Sequence, residues 1–172
     1  MPSRFWASPT VEPKRNNRWV IYMEDPFYSW TAKSVGRPSY QMSSQKVMWI
    51  NHEFKYPGKI TWQPVEITVL DPGTGEGELG TTLGVYQMLA RAGYQFPDNE
   101  NQTSSISKQG AVNALGQVRI QELDVAGSPI EEFTLYNSFV TNVTLGSLTY
   151  ENDGILEIKM TVEYDYARFN PV

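Results

Sequence analysis

The sequence predicts a mainly β domain, an antiparallel β-sandwich or barrel with one flanking α-helix. Three observations lead there. Residues 155–166 (ILEIKMTVEYDY) alternate, with Leu156, Ile158, Met160, Val162, Tyr164 and Tyr166 on one face and Glu157, Lys159, Thr161, Glu163 and Asp165 on the other. Twelve residues at ~3.3 Å each give a strand of roughly 40 Å with one face for a core and one for water. Further short runs of β-branched and aromatic residues are separated by Pro, Gly, Asn and Asp, the punctuation of a meander. Only one segment carries a convincing helical period.

Taken in order, Met1–Asn17 holds three prolines and an isolated Phe5-Trp6 pair, and reads as an arm preceding a single domain over residues 18–172. Such an aromatic pair needs a cover, its own domain or a partner. Arg18–Met23 and Trp30–Val35 read as short strands, the second broken by Gly36-Arg37-Pro38. Val47–Tyr56 reads as one strand with Met48, Ile50, His52, Phe54 and Tyr56 on a face, turned at Pro57-Gly58. Ile60–Leu70 follows, with Pro64 marking an edge. The helix is Leu79–Ala92, with Leu79, Leu83, Tyr86, Leu89 and Ala90 as its apolar stripe and Gly93 as its stop. A polar loop over Phe96–Gln109 leads to one helical turn near Ser107–Asn113. The strands Gln117–Ala126, Ile130–Asn137 and Phe139–Leu145 complete the meander. The first slips phase between Ile120 and Leu123, the mark of a β-bulge. Asn152-Asp153-Gly154 turns the chain into the final strand.

A length of 172 residues suits one domain with a real core. The absence of cysteine excludes disulfides, thiolate metal sites and cysteine nucleophiles. No run approaches the ~18 apolar residues of a membrane span, and no secretory apolar region opens the chain. A cytosolic product is therefore the default, and the sequons at Asn101 and Asn142 read as chance. The net charge of −5 is uneven: nine Lys/Arg against four Asp/Glu through Lys59, then five against fifteen. Either both signs are solvated on one monomer, or the basic part meets the acidic part of a neighbour.

Candidate chemistry is thin. Gly75-Glu76-Gly77-Glu78-Leu79-Gly80 matches GxGxxG, but its two carboxylates occupy the place of a pyrophosphate, and a mobile acidic loop fits better. His52, the only histidine, has no partner at catalytic spacing, so a satisfied core or interface role is expected. Glu163 and Asp165 lie two apart on one strand face; that could hold a divalent cation, yet a solvated face explains it. Neither a cofactor nor a metal is implied, and the chain reads as a non-enzyme.

Three segments together resemble the tail tube proteins of contractile-tailed bacteriophages: RWVIYM with Phe27, the stretch His52–Pro72 (HEFKYPGKITWQPVEITVLDP), and the end Ser138–Phe169 (SFVTNVTLGSLTYENDGILEIKMTVEYDYARF). The acidic stretch Gly73–Gly80 and the polar Asp98–Ser107 depart from that pattern. The resemblance implies hexameric rings stacked head to tail, each subunit adding strands to a continuous barrel around a channel for double-stranded DNA. It implies sheath, baseplate, tail terminator and tape measure proteins as partners, and a location in the virion tail after assembly in the host cytoplasm. Tubes of type VI secretion and extracellular contractile injection systems are the related alternative. A monomeric β-sandwich that binds a ligand through its loops is the alternative from another class. On the tube reading, Phe5, Trp6, Tyr56, Pro57 and Gly58 are the expected contacts between subunits, and Glu157, Glu163 and Asp165 the expected channel-facing residues.

Overall fold

The computed structural model describes residues 12–23, 31–72, 80–98, 103–151 and 153–172. Among these residues ten strands and two helices follow one another: β1 (Trp19–Tyr22), β2 (Ala32–Val35), β3 (Ser39–Trp49), β4 (His52–Gln63), β5 (Val65–Leu70), α1 (Thr81–Arg91), α2 (Lys108–Leu115), β6 (Val118–Leu123), β7 (Pro129–Tyr136), β8 (Phe139–Thr144), β9 (Glu157–Glu163) and β10 (Tyr166–Pro171). Strands in the order β1-β6-β7-β10 make one antiparallel sheet and β2-β5-β9-β8 a second, while β3 and β4 pair only with each other.

The core lies between the two four-stranded sheets. Ile21, Val118, Ile120 and Leu135 come from the first, Val65, Ile67, Val69, Ile158, Met160 and Val162 from the second, and all are buried. Fully burying such a side chain is worth ~1.5–3 kcal/mol, which is why period-two alternation fixes register wherever a second sheet waits to cover it. Val65 opposite Val162, Ile67 opposite Met160 and Val69 opposite Ile158 form the central ladder.

The long terminal strand expected over 155–166 is two strands in two sheets. β9 ends at Glu163, Tyr164 still points into the core, and β10 resumes beside β7 with Tyr166 opposite Tyr136. The preceding chain crosses between the sheets at the same corner, where Asn137 (φ 54°) joins β7 to β8. Asn137 Nδ2 donates to Asp165 Oδ2 at 2.7 Å and the Asp165 N–H donates to the Tyr136 carbonyl at 3.0 Å, so the two crossings hold each other. Strands that switch sheets in this way make the corners of a barrel-like sandwich.

The predicted strand 47–56 contains a turn instead. Trp49 pairs with His52, leaving Ile50 (φ 55°) and Asn51 as the hairpin tip, and Pro57-Gly58 lies in the middle of β4. Pro64 separates β4 from β5 rather than opening a single strand. The bulge expected in β6 is present, between Glu122 and Leu123. β8 and β9 are joined by residues 145–156; Asn152 of the expected turn lies outside the described residues.

Among the described residues two helices flank the sandwich, where the sequence predicted one. Thr82 Oγ1 donates to Asp71 Oδ2 at 2.7 Å at the start of α1, and Gly93 (φ 105°) ends it. Ser107 caps α2 by accepting the Gly110 N–H at 3.0 Å. The helical stripe is rotated from the expected one: Val85 and Met88 face the core, while Leu83 is 48% and Tyr86 47% exposed. Leu79, like Gly75–Glu78, lies outside the described residues.

Candidate functional site

The β3–β4 hairpin dominates the surface. Its longer strand has twelve residues, ~40 Å at the usual rise, and every residue of β3 is exposed within the chain. Tyr40, Met42, Val47, Met48, Phe54, Tyr56 and Ile60 are all exposed, and the tip carries Trp49 at 67% and Ile50 at 83% exposure. A two-stranded ribbon is marginal by itself in water, and a large apolar surface marks an interaction site. His52 sits beside the tip, exposed, and is not a core histidine.

Only the foot of the hairpin is anchored. The Trp62 ring lies 5.5 Å from Tyr40 and 5.9 Å from Tyr164, whose burial pushes its phenol pKa up. Just before β3, Arg37 pairs with Glu122 at 2.9 Å and reaches Glu131 at 4.0 Å. Lys14 pairs with the same two carboxylates. Glu122 and Glu131 are direct cross-strand neighbours, so two like charges face each other and need these cations. Part of the uneven charge of the sequence is thus closed inside one chain.

Of the residues expected to meet other subunits, Phe5 and Trp6 lie outside the described residues. Tyr56, Pro57 and Gly58 are brought together on β4, where the register shifts between Met42 and Ser44. Ser43 Oγ accepts the Lys59 N–H at 3.0 Å, and Gly58 has no room for a side chain, since a Cβ would lie 2.3 Å from Ser43 Oγ.

The three acidic residues expected on one face are divided. Glu157 pairs with Lys33 and Glu163 is exposed at the far end of β9. Lys159 and Thr161 lie between them and alternate with the buried Ile158, Met160 and Val162, so the outer face of this sheet is polar and mixed in sign. Asp165 belongs to the corner beyond the strand. Lys108 Nζ lies 2.8 Å from both its oxygens, and these bonds with that of Asn137 hold its carboxyl below the ordinary value. Among the described residues no group of three His, Cys, Asp or Glu is placed to hold a metal ion.

Sequence reasoning missed one surface, an apolar hollow of about 420 Å³ between α1, α2 and β8. Ala111, Ala114, Phe139, Val140 and Val143 contribute to it. The signal was the second helix: Ser107 before Lys108–Leu115, with Gly116 after, is a complete pair of helix ends.

No family model and no curated protein matches this chain. Solved structures do share its fold. A chain of the anti-feeding prophage baseplate, determined with 6-fold symmetrisation, aligns over 93% of this chain and 97% of its own length at a TM-score of 0.67 and 11% identity. A chain of the anti-feeding prophage cap, which terminates that tube, covers 94% of this chain and 93% of its own at 0.66 and 15% identity. A chain of the sheath-tube complex of the PVC extracellular contractile injection system in its extended state covers 95% of each at 0.60 and 18% identity. The chain therefore has the fold of components of contractile injection particles.

Proposed function

We propose that this protein is a structural, non-enzymatic tube subunit that closes into hexameric rings and stacks them head to tail. The observation that carries this reading is the β3–β4 hairpin, a long apolar ribbon projecting from a sandwich already closed around its own core. Among the described residues both sheets also end in edge strands, β1 and β10 in one and β2 and β8 in the other. A ring removes such edges by pairing each copy with the next. In this arrangement Tyr56, Pro57 and Gly58, with Phe5 and Trp6 of the arm, meet neighbouring subunits. The outer face of β9, with Glu157 and Glu163, borders the channel, and Asp165 stands at its rim.

The resemblance of the sequence to phage tail tubes supports a conduit for double-stranded DNA inside a contracting sheath, with tape measure, terminator and baseplate proteins at its ends and the virion as its place of work. The fold shared with the AFP and PVC chains favours a second reading, the tube of an extracellular injection particle. Negative-stain microscopy and sedimentation of the purified chain test the common core of both: rings or tubes are expected, and a lone species of about 20 kDa would point to a monomeric ligand-binding module. Nucleic acid protected inside isolated particles separates the phage tail from the injection particle. Glu163→Lys with Glu157→Lys makes the wall basic, so tubes should then retain DNA in low salt and release it in high salt.

A further inference from the structure

We infer that the bulge at Ser43 and Pro57-Gly58 turns the apolar face of the outer hairpin away from its own domain, and that this face docks on a second copy of the chain. The inference rests on the tube reading and adds which face makes the contact and what directs it.

Residues directly opposite in antiparallel strands share a face. In the inner part, Tyr40 opposite Trp62 and Met42 opposite Ile60 form an apolar face that lies on the sandwich through Trp62 and Tyr164. Ser39 opposite Gln63 and Gln41 opposite Thr61 form a polar face on the other side. β3 alternates onward without interruption, so Ser44, Lys46 and Met48 continue the face that looks toward the domain. Their partners are Pro57, Lys55 and Glu53, and Glu53 lies 3.2 Å from Lys46 and 3.9 Å from Lys55. That side is charged. The opposite side carries Val47 with Phe54, Gln45 with Tyr56, and Trp49 with His52.

The inversion has a local cause. Between the pairs Ser44–Pro57 and Met42–Ile60, β4 advances three residues where β3 advances two. Unbroken pairing of these same residues would put Phe54 and Tyr56 on the side of Ile60 and Trp62, because the side-chain period is two. Proline, which donates no hydrogen bond, and glycine, which leaves room for Ser43, are the residues this bulge needs.

The partner fits a second copy because the chain also carries a receptive surface. The hollow between α1, α2 and β8 is lined almost wholly by apolar groups, among them Val85, Met88, Ile106 and Ala111. One chain holding a projecting apolar face and an apolar hollow is complementary to itself in a head-to-tail sense.

The test compares two triple variants of the full-length chain by sedimentation and negative stain. Val47→Ser, Phe54→Ser and Tyr56→Ser together should raise the concentration needed for assembly more than about tenfold, while the melting midpoint of the domain is kept. Lys46→Ser, Met48→Ser and Lys55→Ser should assemble as the wild type does. Equal loss in both triples, or loss only in the second, overturns the inference and leaves the tube reading standing. Replacing residues 44–57 by a short turn separates the two: assembly that survives it overturns the hairpin's role in stacking itself.

Discussion

Strands β5 and β9 and strands β3 and β4 are both antiparallel pairs, with apolar residues alternating along β5, β9 and most of β4, and they end in opposite environments. Ile67 and Met160 face each other in complete burial, whereas Val47 and Phe54 face each other in solvent. The alternation of β4 is the same in kind as that of β5 and β9. The first pair has the β1-β6-β7-β10 sheet across from it and the second, among the described residues, has no other sheet. Alternation therefore reports that a face will be covered, and it is silent on whether the cover belongs to the same chain. In the core the hydrophobic effect stabilises the monomer; on the hairpin the same area remains for association.

The sharpest way to break this comparison is one substitution in each pair. Ile158→Ala should destabilise by ~2–5 kcal/mol in thermal or urea unfolding, since Ile158 is buried between the sheets. Phe54→Ala should change unfolding by no more than ~0.5 kcal/mol while weakening assembly. Similar losses from both would mean that the hairpin is part of the cooperative unit.

A second variant tests whether the helices belong to the body. Gly110→Ala puts a methyl 2.6 Å from the Ala92 carbonyl oxygen, where α1 and α2 meet, and should cost ~1–3 kcal/mol. Ser107→Ala removes the cap that accepts the Gly110 N–H and should cost ~1 kcal/mol, read in the same unfolding experiment.

The smallest effect concerns the corner that joins the sheets. Lys108 and Asn137 hold the Asp165 carboxyl below its ordinary 3.8, so its contribution to stability is present above that value and lost as pH falls through the lower native one. Asp165 is well exposed, which keeps the effect modest. Asp165→Asn should flatten the decline of melting temperature below pH 3.8, and an unchanged acid slope would show that the corner does not depend on this charge.

Much of the fold was legible in residue order. The strands at 19–22, 129–136 and 139–144, the bulge near Leu123, the helix before Gly93 and the burial of Ile158, Met160 and Val162 each follow from patterns shorter than a dozen residues. The misreadings share one cause. At Ile50-Asn51 and at Tyr164-Asp165 the alternation runs on through a turn or a crossing that no Gly or Pro announces, whereas Pro57-Gly58 announces a turn and supplies a bulge. The α1 stripe was misplaced because Leu83 and Tyr86 are as apolar as Val85 and Met88, and periodicity gives the angle between residues without saying which side meets the sheet.

By itself, then, the order of residues determined a cysteine-free, mainly antiparallel β chain, the alternating faces of its strands and the resemblance that pointed to a tube. These depend on neighbours along the chain and on the fixed geometry of the backbone. Tertiary structure alone decided that residues 157–171 divide between two sheets, that Asp165 serves the corner, and that the hairpin's apolar residues stay exposed. Each of these depends on which distant surface arrives opposite a strand, and a period of two is the same whether that surface arrives or not.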